Sequence, residues 1–199
     1  NPEPLLYQGL KNLEYRGYDS AGFVTIDAEK NTRLVREIGE VSHLLPHVQP
    51  ESTAIVGIGH TRWATHGGVT RENTHPHHSM KGKIYLVHNG IIENYKTLAE
   101  KLGKAGYVFY GQTDSEVLAN LIEYCLETTH DIKKALLLAL SQVTGTYGLA
   151  VVSPEDPTRL YAVRRGSPLM MNVIRDGIMV ASDPHAFPES NPTVITMED

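Results

Sequence analysis

Only one cysteine, Cys125, occurs in the 199 residues. An internal disulfide framework is therefore excluded, and a reducing, cytoplasmic compartment is expected. Long apolar runs are also missing. The most apolar stretch, Ala135 to Leu140, is far too short to span a bilayer. No basic-then-apolar segment opens the chain as an export signal would. Blocks of like charge, low-complexity tracts and internal repeats are absent. The formal net charge of −5 argues against nucleic acid or an acidic membrane as partner. What remains is an ordinary globular composition, 41% hydrophobic and 21% charged, and a length that supports one domain over 1–199 with a real core. Asn1-Pro2-Glu3-Pro4 does not read as a natural translation start, and a fragment is expected.

Leu5, Leu6, Leu10 and Leu13 recur at helical spacing, with Gly17 at the expected stop. Strands are expected over 21–27 and 32–38 around an Ala28-Glu29-Lys30-Asn31 turn, followed by a short helix over 41–48. Two β-rich runs, 53–60 and 84–88, flank a segment, 61–82, with little periodicity; so long a connection is usually functional. Helices are expected over 95–102, from Thr113 onward, and over 132–143. Thr113-Asp114-Ser115-Glu116 fits a capping box, with Thr113 as N-cap and Glu116 reaching back. Strands should follow at 147–152, 159–163, 169–173 and 178–181. This order lacks regular βαβ alternation and predicts an α+β layered domain with antiparallel or mixed sheets.

Three polar clusters stand at strand ends. In His60-Thr61-Arg62-Trp63-Ala64-Thr65-His66-Gly67, an Arg beside hydroxyl and imidazole groups suits a small carboxylate, because its guanidinium fork can hold both oxygens. A surface loop with a structurally paired Arg is the plainer alternative. His88-Asn89-Gly90 reads either as a tight Asn-Gly hairpin turn or as an oxyanion hole. Asp114, in a first helical turn, is favoured there by the helix dipole by roughly 0.3–1 kcal/mol, and could equally hold a substrate ammonium. His75, His77 and His78 invite a metal reading. They lack a His-Glu-x-x-His helix, a cysteine pair and a neighbouring acid, so neither metal nor other cofactor is expected. Cys125 falls on an apolar helix face and reads as a core residue rather than a nucleophile.

Five motifs together carry a resemblance. They are Leu13 to Gly22 (LEYRGYDSAG), Gly59 to Gly67, His88 to Asn94 (HNGIIEN), Thr113 to Glu116, and Arg165-Gly166-Ser167-Pro168-Leu169. In order and spread over nearly the whole chain, they resemble the N-terminal class II glutaminase domain of the glutamine–fructose-6-phosphate aminotransferase (glucosamine-6-phosphate synthase) family. The resemblance implies an N-terminal-nucleophile hydrolase fold, a four-layer αββα sandwich with two mostly antiparallel sheets. It implies hydrolysis of L-glutamine by a first-position cysteine. The ammonia would pass to a sugar isomerase domain of the same polypeptide, which converts fructose 6-phosphate to glucosamine 6-phosphate in a homo-oligomeric parent enzyme.

Carried over by that resemblance, Arg62 should bind the glutamine α-carboxylate with Thr65 and His66 beside it, and Asp114 the α-ammonium. Asn89 and the Gly90 N–H should form the oxyanion hole, Arg16 should position the nucleophile end, and Trp63 should gate ammonia. Segment 183–193 departs most from the family pattern and is expected to carry no chemistry. The family's opening Cys-Gly-Ile-Val-Gly strand is not in this chain, which starts at Asn1. Asn offers neither thiol nor hydroxyl. The 199 residues alone are therefore expected to be inactive, with one sheet edge open and a hole in the core. Two other readings are a glutamine-binding module without catalysis and a metal-dependent hydrolase using His75 to His78.

Overall fold

The computed structural model describes residues 1–63, 67–175, 177–188 and 194–199. Its elements are α1 (Glu3–Asn12), β1 (Ser20–Asp27), β2 (Thr32–Ile38), β3 (Ala54–Arg62), β4 (His77–His78) and β5 (Tyr85–Ile92). Then come α2 (Tyr95–Lys104), α3 (Asp114–Thr129), α4 (Ile132–Leu140), β6 (Gly145–Ser153), β7 (Asp156–Arg165), β8 (Met170–Ile174), β9 (Gly177–Ala181) and β10 (Val194–Thr196). Short 3-10 turns cover Glu14–Arg16, Val41–His47 and Pro184–Ala186.

Strand alternation builds the layers. On β1, Ala21 and Phe23 point to one side and pack with Leu10 of α1 and with Val41 and Leu44 of the second 3-10 turn. Val24 and Ile26 point to the other side and meet Ile58 of β3, Val87 of β5 and Val152 of β6. The sheet β2-β1-β3 therefore lies between α1 and the sheet β4-β5-β6-β7. Helices α2, α3 and α4 cover the far face of that second sheet. The result is the expected αββα order, with every strand pair antiparallel.

One feature departs from two sheets. Among the described residues the strands form three hydrogen-bonded sheets, the third being β10-β8-β9. The edge strands β3 and β9 both line one cavity of about 620 Å³, whose wall also carries Leu5, Leu6 and Leu10 of α1.

Helix α3 fixes the approach to β5. Thr113 caps it by accepting the Glu116 N–H at 3.2 Å. Glu116 does not complete the capping box. Its carboxylate instead accepts the Tyr110 and Gly111 N–H groups at 2.8 and 2.7 Å and ties the preceding loop to the helix. Two turns on, Asn120 accepts the Met80 N–H at 2.8 Å, and buried Glu123 accepts the Lys81 and Lys83 N–H groups and the Ser79 hydroxyl. These bonds satisfy backbone donors of the turn that leads into β5, which would otherwise be unpaired beside the core.

Candidate glutamine site

β3 extends two residues beyond the apolar run, so Thr61 and Arg62 belong to the strand rather than to a following loop. Val56 and Ile58 face the second sheet. The two-residue period turns His60 and Arg62 the same way. On the opposite face a Cβ at Gly57 would lie 2.8 Å from Leu6 Cδ1, so glycine there lets α1 pack closely on the strand.

Asn89 and Gly90 are not a hairpin turn. They sit inside β5, paired with Gly148 and Tyr147 of β6. Gly90 has φ of +128°, and a Cβ there would lie 2.2 Å from the Thr146 carbonyl oxygen. Only glycine fits this backbone, which explains the Asn-Gly pair without any turn. Val87 of β5 faces β3, and Asn89, two residues on, does the same, its Oδ1 2.9 Å from His60 Nε2. His88 points the other way, toward α3, where its Nδ1 is 2.9 Å from Ser115 Oγ.

Asp114 opens α3. Its Oδ2 accepts the Ile92 N–H at 2.8 Å and lies 4.0 Å from His88 Nδ1. The helix N-terminus thus presents a carboxylate already oriented by β5. Arg62 is 6% exposed and donates from Nη1 to the Gly68 carbonyl at 3.2 Å. Burial lowers its guanidinium pKa, while the Asp19 carboxylate favours its charge. Trp63 is exposed and leans on the Tyr18 ring at 5.6 Å between centroids. Thr65 and His66 lie outside the described residues.

Arg16 donates to Ser182 Oγ and to Asp183 Oδ2, both at 3.3 Å. Tyr15 donates to the same Asp183 oxygen at 2.6 Å. Burial would raise the Asp183 carboxyl, but these bonds and those from His185 bring it down to about 2. Segment 183–193 was expected to carry no chemistry; its first residue, Asp183, anchors Arg16. Arg16, Arg62, Trp63, Asn89, Gly90 and Asp114 all line the 620 Å³ cavity. So does His60.

Behind this wall the histidines form a stack. His60 lies on His75 at 4.2 Å between ring centroids and 29° between planes, and His75 meets the edge of His77 at 4.5 Å. His75 Nε2 is 3.1 Å from Ser115 Oγ, and His77 Nε2 is 3.0 Å from Thr113 Oγ1. Burial pushes the His60 imidazole down to about 4, despite its bond to Asn89. It pushes His75 and His77 well below the usual value, and His88 below it against the pull of Asp114. These are neutral rings, His75, His77 and His88 held by hydroxyls and His60 by the Asn89 amide. No group of three His, Cys, Asp or Glu residues placed to hold a metal ion occurs among the described residues.

Cys125 is far from this chemistry. It is buried in the cluster between the second sheet and its helices, and accepts from Gln142 Nε2 at 3.6 Å. Burial raises its thiol, as expected for a packing residue. The sequence reading named Arg62, Asn89, Gly90 and Asp114, which line one cavity. It gave no role to His60, Ser115 or Asp183, whose partners are distant in sequence.

A family profile described as a glutamine amidotransferase domain matches residues 60–189. Glutamine–fructose-6-phosphate aminotransferase (isomerizing) from Bacteroides thetaiotaomicron is 46% identical over 98% of this chain, and that from Xylella fastidiosa 47% over 98%. The chain spans 32% of the length of either relative. Among solved structures, glutamine phosphoribosylpyrophosphate amidotransferase from B. subtilis superposes with a TM-score of 0.78 at 26% identity, over 98% of this chain and 42% of that one. The open-edged αββα sandwich is thus the N-terminal-nucleophile hydrolase fold. The chain belongs to the glutamine amidotransferase family, on the class II branch represented by the glutaminase part of glutamine–fructose-6-phosphate aminotransferases.

Proposed function

We propose that this chain binds L-glutamine in the 620 Å³ cavity and serves its hydrolysis to glutamate and ammonia. The observation that carries the reading is the convergence of Arg62, Asn89, Gly90 and Asp114 on that one cavity. Arg62 would take the α-carboxylate, Asp114 the α-ammonium, and Asn89 with the Gly90 N–H the developing oxyanion. Trp63, Thr65 and His66 would complete the surround, and Arg16 would position the nucleophile end. Losing one oxyanion donor typically costs about 3 kcal/mol of barrier.

The thiol would come from an extended segment seated between the β3 and β9 edges. Two strand edges and the leucines of α1 along one cavity favour such a segment. Its sulfur would bond to the amide carbonyl carbon, and its proton would pass through the segment's α-amine to the departing nitrogen. The C–N bond would then break and release ammonia. Water would cleave the thioester to glutamate and return a proton to sulfur. In the full-length protein the ammonia would go to a sugar isomerase domain and fructose 6-phosphate, giving glucosamine 6-phosphate. That protein would work as a cytoplasmic homo-oligomer, and no described helix is long and apolar enough to cross a membrane.

The test is glutamate release by the full-length protein and its Arg62→Ala variant. Glutamine use should collapse in the variant while ammonia-dependent sugar synthesis persists. Equal loss of both would remove Arg62 from the site. Glutamine binding without glutamate release by the unaltered protein would favour the binding-module reading.

A further inference from the structure

The amide of Asn89 has two unlike ends. Only its NH2 group can donate to a negative oxygen; turned by half a rotation, it would offer a carbonyl oxygen that repels one. Something must therefore hold the amide one way round. In this structure Asn89 Oδ1 lies 2.9 Å from His60 Nε2. That contact is a hydrogen bond only if Nε2 carries the proton, and it leaves the Asn89 NH2 for the cavity. The other nitrogen, His60 Nδ1, is buried without a hydrogen-bond partner. A bare acceptor there is easier to tolerate than an orphaned N–H, so the lone proton of the neutral ring belongs on Nε2.

The ring has little freedom to turn. His60 is stacked on His75, which is tied to Ser115 of α3, and Ser115 also meets His88 of β5. Burial keeps the imidazole neutral by pushing it down to about 4. We propose that His60 is a positioning residue: its Nε2–H holds the Asn89 amide so that the NH2 group faces the reacting carbonyl. This rests on the glutamine-hydrolysis reading above.

The experiment is a double-mutant cycle in the full-length protein, following glutamate release from glutamine. His60→Leu should lower kcat about 10- to 100-fold with KM for glutamine within about twofold, short of the roughly 100- to 1000-fold loss typical of removing a donor itself. In an Asn89→Ala background the same change should cost almost nothing more, because there is no amide left to orient. His60→Gln places an N–H near the Nε2 position and should restore most of the kcat. If His60→Leu does not fold, His60→Asn, which is too short to reach Asn89, replaces it in the cycle. The proposal is overturned by equal losses in both backgrounds, by a rise in KM at unchanged kcat, or by failure of the glutamine substitution to rescue. An unaltered protein that releases no glutamate overturns the hydrolysis reading and this inference together. Normal turnover with an additive cycle overturns this inference alone.

Discussion

Among the described residues, 22 buried residues form one cluster between the β4-β5-β6-β7 sheet and helices α2, α3 and α4, whereas 6 fill the space between α1 and the β2-β1-β3 sheet. The first layer is closed by α3, buried on nearly all sides and bonded to the turn before β5. The second ends in the open β3 edge and the cavity along it. The site draws from both. Asn89, Gly90 and Asp114 come from the filled layer, and Arg62, His60 and Arg16 from the unfilled one. Asn89 and Gly90, which must be fixed as charge develops, thus stand on the more constrained side, where neighbours leave them fewer alternatives. The two substrate clamps are divided: Asp114 stands on the constrained side and Arg62 on the side with room.

The largest effect expected from this contrast is on stability. Leu121, fully buried in the filled cluster, should cost about 3–5 kcal/mol when changed to alanine. Leu6, half-buried beside the cavity, should cost about 1 kcal/mol or less, since its methyl groups already border open space. Urea unfolding of both variants measures the pair. Similar losses would mean that the two layers are equally packed.

The next effect separates the two sides in kinetics. Asn89→Ala should lower kcat about 100- to 1000-fold with little change in KM, because its contact strengthens only as charge develops. Arg62→Ala should act chiefly through KM, because a carboxylate clamp is made in the ground state as well. Steady-state glutamine kinetics of the full-length protein tell them apart. If Arg62→Ala moved kcat alone, the division of labour between the layers would be wrong.

A smaller effect arises where the layers meet. His60, His75, His77 and His88 are held neutral with pKa values below the ordinary imidazole value of about 6.5. The unfolded chain therefore takes up protons first as pH falls. Stability from these groups is complete above about pH 6.5 and declines below it, until His60 itself protonates near about 4. Each such group adds a slope of up to about 1.4 kcal/mol per pH unit. Unfolding free energies between about pH 7.5 and about pH 5 should show this decline, and His75→Gln should flatten it. A variant with the parent's slope would remove His75 from the buried neutral stack.

What the sequence made legible follows the range of the interactions. The β1–β2 hairpin and the Thr113 cap depend on neighbours a few residues apart, and both were readable. Asn89-Gly90 pointed equally to a turn, because a positive φ serves a hairpin and a crowded mid-strand position alike. The end of β3 looked like a loop because its residues are polar; they face the cavity rather than solvent alone. Glu116 looked like half of a capping box because the loop N–H groups it binds leave no mark in the pattern. Asp183 reaches Arg16 across 167 residues, and no local signal announces that.

The smallest effect expected is at Cys125. It stands deep in the filled layer, outside the lining of the cavity, with its thiol raised by burial and in contact with Gln142. Cys125→Ala should remove about 1 kcal/mol of stability through lost packing. It should leave glutamate release by the full-length protein within about twofold of the parent, because no group of the cavity touches it. Thiol-specific inactivation of that protein should survive the substitution. Loss of turnover in Cys125→Ala with the fold intact would place the reacting sulfur in the packed layer and remove the case for a thiol seated between β3 and β9.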